Sequence, residues 1–388
     1  MSESSSPQAI IVHVFGRTDV GRTREHNEDC FVVADLTTMN ATLQPEVREH
    51  RPGERGSLFM VADGMGGAAA GEVASQMATE VVLEELETWW RRSESTDPDA
   101  FAAGLRKAVE AANARIHRYA LDHPENRGMG TTTTVAGILG DTLYLCQVGD
   151  SRGYLVRNGV ATQITKDQSL VQRLIDAGEL TAEEAEVSER RNIILQALGP
   201  EAQVKVDLTV QQVRRGDTLV LCSDGMSGQM RTVDIARIVT EQSPDLMATC
   251  KALIDLANEN GGPDNITVIA ARFEGADLQP PSAGDRVGHQ PYISPAEARA
   301  TMPVSAATIA QSLEDEEMLE ASLVTTAETE IPVVASSENG APRTTVPMAP
   351  SPESTLSPRV SVAQLRLIFG GLTVLVAAWL AWVYLIKG

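Results

Sequence analysis

Four acidic residues, each set beside a glycine or another tight-turn residue at the edge of an apolar run, constrain this chain more than any other feature. Asp63 stands in SLFMVADGMGG, Asp150 in TLYLCQVGDSRG, Asp224 in TLVLCSDGMSG and Asp264 in ENGGPDNITVIAARF. The first three follow short runs rich in Leu, Val, Phe and Tyr that read as buried strands, and the fourth precedes one, which puts all four carboxylates at strand ends. Carboxylates gathered there repel one another. A shared divalent cation removes the repulsion, and since no His or Cys cluster accompanies them, the ion implied is hard and oxygen-liking, Mg²⁺ or Mn²⁺.

A fifth motif stands ahead of another apolar run: Arg24, Asn27, Glu28 and Asp29 in GRTREHNEDCFVV. An arginine among carboxylates either neutralises them or offers its planar fork to a pair of phosphate oxygens. Carboxylates, a hard metal and one such arginine point to phosphate chemistry.

With these residues in order, the chain resembles the metal-dependent Ser/Thr protein phosphatases of the 2C type, the PPM family. The series is RxxNED from Arg24 to Asp29, DGMGG from Asp63, GTTTTV from Gly130, GDSRGYL from Gly149, SDG from Ser223 and GGPDNITV from Gly261. One Asp-Gly is usually a turn. Six motifs in the family's order are specific.

The resemblance implies an α+β fold, a four-layer α-β-β-α sandwich of two mainly antiparallel sheets flanked by helix pairs. It implies hydrolysis of phosphoserine and phosphothreonine in proteins by a metal-activated water, with two Mg²⁺ or Mn²⁺ ions. Asp63 would bridge the two ions. Glu28 and the Gly64 carbonyl would serve one, Asp224 and Asp264 the other, and Asp150, with Asp224, a third and weaker one. Arg24 takes the place of the phosphate-binding arginine, so Arg24, Asp63 and Asp224 are the expected catalytic set. Asp29 and Asn265, which sit inside the motifs, either touch metal or orient its ligands. Ser151 and Ser223 lack a His partner in any motif, which argues against a Ser-His mechanism.

Two positions depart from the family. Many eukaryotic relatives have His directly after the first Asp-Gly, where this chain has Met65, which has no proton to donate. The family's Asp-His-Ser appears here as Asp167, Gln168, Ser169. The alternative is an inactive phosphatase fold serving as a membrane-tethered binding module or scaffold. Against it, every matching metal position is retained. An acidic Ca²⁺-binding protein would instead cluster its carboxylates in one loop.

Net charge is −21 over 388 residues, so the chain lacks the basic footprint of a nucleic-acid binder. Cys30, Cys146, Cys222 and Cys250 show no CxxC spacing and read as small core residues. Helices are expected from about Gly71 to Arg92, from Pro98 onward, over Thr232 to Glu241 and over Asp245 to Asn260. In the stretch from Asp167 to Gly199, LVQRLIDAG reads as helical and TAEE as a capping box. The resemblance makes this stretch a flap beside the site that discriminates substrates. Residues 37–57 read as a long exposed loop.

All motifs lie within 10–275, which is expected to be a complete, monomeric catalytic domain. Residues 276–364 read as an acidic Pro/Ser/Thr/Ala-rich linker, and 365–387 as one transmembrane helix. Leu367 to Ile386 are twenty residues without a charge, enough as a helix to span about 30 Å of hydrocarbon. The N-terminus, MSESSSPQAI, has neither the basic nor the apolar part of a secretory signal. Together with the arginines ahead of the apolar segment, this leads to the expectation of a single-pass cell-membrane protein with its catalytic domain in the cytoplasm. Its expected partners are phosphorylated proteins, including a membrane Ser/Thr kinase or that kinase's substrates.

Overall fold

The computed structural model describes residues 10–40, 49–66, 70–92, 97–186 and 188–294. The expected transmembrane segment 365–387, and the expected linker beyond 294, lie outside them. Among the described residues no helix is long and apolar enough to cross a membrane.

The elements follow in the order β1 (Ile10–Asp19), β2 (Asp29–Asp35), β3 (Glu49–His50), β4 (Ser57–Met65), α1 (Ala70–Arg92), α2 (Pro98–Asp122), β5 (Gly130–Thr131), β6 (Thr133–Leu139), β7 (Thr142–Val148), β8 (Arg152–Arg157) and β9 (Val160–Gln163). After these come α3 (Leu170–Asp176), α4 (Ala182–Glu186), β10 (Asp207–Gln212), β11 (Thr218–Cys222), α5 (Asp224–Ser227), α6 (Thr232–Gln242), α7 (Leu246–Glu259) and β12 (Ile266–Gly275). One sheet has the order β3-β1-β12-β11-β8-β9, the other β10-β7-β6-β4-β2 with β5 paired to β4. Their pairings are antiparallel.

Strand alternation explains the layers. Along β4, Leu58, Met60 and Ala62 face α1 and α2, whereas Phe59 and Val61 face the other sheet. β11 repeats the device, with Leu219 and Leu221 between the sheets and Val220 and Cys222 against α6 and α7. A run apolar at every position is thus buried on both faces, as a central strand must be. The result is the expected order of helix pair, sheet, sheet, helix pair.

Local signals set the helix ends. Asp97 caps α2, accepting from the Ala100 N–H at 3.0 Å, with Pro98 in the first turn. Thr181 and Glu184 form the reciprocal box expected from TAEE, at 2.8 and 3.2 Å. Asp245 caps α7.

Two expectations are corrected. The 37–57 stretch is not only an exposed loop: β3 crosses to the opposite sheet and pairs with β1, and His50 is buried with its Nε2 2.7 Å from Ser57 Oγ. Nor does the folded unit stop at Gly275. Residues 276–292 strap back over β10. Arg215 donates to the carbonyls of Gly275 (3.0 Å) and Leu278 (2.9 Å), and the Leu278 side chain is fully buried between the sheets. Arg214 forks onto Asp285 at 2.8 and 3.0 Å. The Val210 N–H then donates to Gln290 O and the Tyr292 N–H to Leu208 O, both at 2.8 Å, so the strap adds backbone pairing to the free edge of β10. Tyr292 meets Tyr144 edge-on at 5.7 Å and its hydroxyl bonds Asp99.

A chain ended after Gly275 loses a buried leucine, worth about 2–5 kcal/mol, and exposes an edge strand. Its melting temperature should fall by on the order of 10 °C relative to a chain ended after Ser294. Equal melting temperatures by calorimetry would contradict the strap's role.

Candidate metal centre

The motif carboxylates are delivered by β2 and β4 of one sheet, by the turn after β7, and by the ends of β11 and β12 of the other sheet. β2 and β4 pair with Asp29 opposite Asp63. The motif threonines hold this strand end: Thr132 N–H and Thr131 Oγ1 donate to the Asp63 carbonyl at 2.8 and 2.9 Å, and the Asp63 N–H donates to Thr132 Oγ1 at 3.2 Å. Glu28 lies beside the Gly64 backbone and the first turn of α1. The Gly64 N–H donates to Glu28 O at 3.1 Å, and a Cβ on Gly71 would stand 2.7 Å from the Glu28 carboxylate. Glycine at 64 and 71 is what lets these three segments touch.

From the other sheet, Asp224 opens the short α5 after Ser223, and its carboxyl lies within hydrogen-bonding reach of Asp63. Asp264 bonds the next backbone N–H, that of Asn265, at 2.9 Å. Asn265 ties three segments of the site together. Its Oδ1 accepts from the Glu28 N–H at 2.8 Å, and its amide donates to the carbonyls of Val20 and His26 at 3.0 and 2.9 Å. Asp150 is buried in the turn after β7, where Gly149 takes φ +100°.

Arg24 is exposed, and its fork donates to Asp264 Oδ2 at 2.8 Å, with side-chain exposures of 49% and 34%. An ion pair so open to water is worth about 0–1 kcal/mol. The guanidinium is therefore held at the site yet free to be drawn to a stronger anion. Ser151 and Ser223 are fully buried. Ser151 Oγ lies 2.7 Å from Thr132 Oγ1, and Ser223 Oγ donates to Asp29 at 2.8 Å. Both hydroxyls are supports and not nucleophiles.

Burial, then mutual repulsion, dominates the electrostatics. Burial pushes the Asp63 carboxyl well above the usual range, and the neighbouring Asp29, Asp224, Asp150 and Asp264 push it further. Burial raises Asp29 and Asp150 to about 7 each, with Asp224 adding to both. Asp224 and Glu28 are raised for the same first reason. One oxygen of Asp29 and one of Asp150 are buried without a hydrogen-bond partner. Carboxylates so placed are matched by a cationic ligand, which would offset both the burial and the repulsion.

The donor set fits hard divalent ions, being all oxygen. Among the described residues no three His, Cys, Asp or Glu side chains converge on one ligating point, so the carboxylates form no closed cage. An ion held by two or three of them would still keep several waters, as Mg²⁺ and Mn²⁺ do. Beside the cluster a groove of about 690 Å³ is lined by Arg24, Asp150, Asp224 and Asp264. Val171 and Ile175 of α3 and Ala182 and Ala185 of α4 line it too. The α3–α4 segment thus borders the site, where the flap was expected.

The structure therefore brings together every expected site residue. Three supports carried no assigned role in the sequence: the Thr131/Thr132 ties, Ser223 under Asp29, and Arg152, which forks onto Asp167 at 2.7–3.1 Å. The repeated threonines in an otherwise apolar strand were the available signal for the first.

Comparison with known proteins decides the family. Residues 46–264 match the model of the Protein phosphatase 2C family. The chain belongs to that family. It is 38% identical to the serine/threonine phosphatase stp of Listeria monocytogenes, over 66% of this chain and 94% of that protein. The crystal structure of the Mycobacterium tuberculosis serine/threonine phosphatase PstP/Ppp superposes with a TM-score of 0.57 at 38% identity, covering 68% of this chain and 99% of that one. A structure of the PstP catalytic domain in complex with two manganese ions gives 0.56 at 37% identity, over 68% and 99%.

The raised carboxylates set a pH dependence with a definite sign. Asp29 and Asp150 hold protons in the folded state up to about pH 7, whereas in the unfolded chain they lose them near pH 4. Their contribution is fully present below about pH 4 and is lost as the pH rises through about 7. Metal-free protein should therefore lose thermal stability from about pH 5 to about pH 8, and saturating Mn²⁺ should raise the melting temperature more at the upper end. A Mn²⁺ effect independent of pH would contradict this electrostatic account.

Proposed function

We propose that this chain, a protein serine/threonine phosphatase of the 2C type, releases phosphate from phosphoserine and phosphothreonine in proteins with the help of two Mg²⁺ or Mn²⁺ ions. The observation that carries the reading is the convergence of carboxylates from the RxxNED, DGMGG, GDSR, SDG and GPDN segments, two of them, Asp29 and Asp150, with a buried oxygen that has no hydrogen-bond partner. The names of the listerial and mycobacterial relatives, and the manganese pair in one of them, support it.

Asp63 would lie between the two ions, Glu28 and the Gly64 carbonyl would hold one, and Asp224 and Asp264 the other. Asp150 would hold a third. When bound, the ions neutralise phosphoryl charge and supply an activated water. Arg24 leaves its solvent-screened pairing with Asp264 to grip two phosphate oxygens, fixing the phosphorus in front of the cluster. The groove toward α3 and α4 receives the peptide on one side of the phosphoresidue. Neither Met65 nor Gln168 carries a titratable proton, so neither serves as the acid for the leaving alcohol.

The same reading makes residues 367–386 a single membrane anchor, on the strength of twenty consecutive uncharged residues. The catalytic domain would then face the cytoplasm, and tethering would raise its effective concentration toward phosphoproteins at that surface, a membrane Ser/Thr kinase or its substrates among them.

Phosphate release from a phosphothreonine peptide should require Mn²⁺ or Mg²⁺ and stop reversibly with EDTA. Asp63→Asn and Asp224→Asn should each lower it by more than the roughly 10–100-fold typical of losing an outer partner of a metal ligand. Arg24→Ala should raise KM about tenfold with a smaller change in kcat. Normal turnover by either Asp variant at saturating Mn²⁺ would overturn the two-ion assignment. Recovery of the full-length chain in the cytosolic fraction would overturn the anchor.

A further inference from the structure

We propose that Arg231 is a specificity-determining residue whose guanidinium receives an anionic side chain flanking the phosphoresidue, a carboxylate or a second phosphoryl, so that the groove selects acidic phosphopeptides. The proposal rests on the phosphatase reading above and names the substrate class of that same site.

The chain as a whole carries a net charge of −21, yet the charges left along its groove are positive. Of the aspartates that line it, Asp150, Asp224 and Asp264 belong to the metal centre, and Asp167 accepts the Arg152 fork at 2.7–3.1 Å. The other charged lining residues are Arg24, Arg191 and Arg231.

One wall of the groove is a nearly continuous stretch of chain leading from the metal centre to Arg231: Asp224, Gly225 and every residue from Ser227 to Thr232 line it. The backbone of this wall is fixed. The Gly228 N–H donates to Asp224 O at 2.7 Å, the Gln229 N–H donates to Met226 O at 3.1 Å, and Asn260 Nδ2 donates to Gln229 O at 2.7 Å. Met230 packs against the core under α6 and α7. Near the centre the wall carries only Gly225, Ser227 and Gly228, small enough for a peptide backbone to lie close. A peptide whose phosphate is gripped by Arg24 can follow this wall to Arg231.

The fold makes little use of the Arg231 side chain. Arg231 occupies the N-cap of α6, where Ser, Thr, Asp or Asn would accept from a first-turn N–H. Its side chain makes no capping hydrogen bond, since a guanidinium has donors only. The local bonds with Asp234 run through the Arg231 backbone: its N–H donates to Asp234 Oδ2 at 3.4 Å and its carbonyl accepts from the Asp234 N–H at 2.9 Å. The guanidinium meets Asp234 at 3.5 Å with side-chain exposures of 72% and 26%, a contact open enough to water to yield to a better-matched anion. A planar fork on a fixed base suits the oxygen pair of a carboxylate or a phosphoryl group.

The test uses the purified full-length chain at saturating Mn²⁺ and phosphothreonine peptides in which Glu, Gln, Lys or a hydrolysis-resistant phosphonate stands in turn at successive positions on either side of the phosphoresidue. At one of these positions the wild type should show kcat/KM about fivefold higher for Glu and for the phosphonate than for Gln, with Lys below Gln. The larger of the two gains identifies the anion read in substrates, carboxylate or phosphoryl. Arg231→Ser should erase the preference while raising the melting temperature, because Ser caps α6. Arg231→Glu should reverse it in favour of Lys. 4-Nitrophenyl phosphate, which has no flanking residue, reports the state of the metal centre in each variant.

Equal kcat/KM for the Glu and Gln peptides at every position, or a Glu preference that survives in both Arg231→Ser and Arg231→Glu, would overturn the proposal. Absence of Mn²⁺-dependent release from every peptide and from 4-nitrophenyl phosphate in the wild type would instead overturn the phosphatase reading, and this proposal with it.

Discussion

Repulsion among closely set carboxylates, most of them largely withdrawn from water, is the interaction on which the rest of this structure depends. Burial first, and then the neighbouring carboxylates, raise the proton affinity of Asp29, Asp63, Asp150 and Asp224. Such a cluster would swell or fill with water unless its backbones were fixed independently of its charges. The two packed sheets do this, because Asp63 and Asp224 end strands that are buried on both faces and cannot shift without unpacking two layers. The fold thus spends its packing energy holding like charges close, and a hard divalent pair releases that strain. Function and fold meet in this one opposition.

Much of this was legible in the sequence, for identifiable reasons. The unbroken apolar runs of β4 and β11 announce strands covered on both faces, and the Asp that ends each run sits where a side chain first regains access to water. Asp97-Pro98 and Thr181 to Glu184 announce helix starts through local chemistry alone. The six motifs, read in order, placed every residue that the structure brings to the centre.

What stayed illegible is long-range and polar. β3 has two residues, too few for any period, and pairs with a strand of the opposite sheet. The strap after Gly275 reads as linker because its charged residues satisfy partners far away in sequence: Asp285 meets Arg214 and His289 meets Asp207. Composition counts such residues as solvated. The pairing of Arg24 with Asp264 spans 240 positions, and the two hydrogen bonds between Gln168 and Gly149 are invisible until the end of β7 and the entry to α3 lie side by side.

The central claim is that this carboxylate cluster exists to hold two hard divalent ions at Asp63. Anomalous scattering from crystals of residues 1–294 grown with Mn²⁺ tests it most directly. The account predicts two strong peaks a few ångströms apart, both within direct reach of Asp63, one beside Glu28 and the Gly64 carbonyl and the other beside Asp224 and Asp264. A map with no peak near Asp63, or with a single ion held without it, would contradict the account.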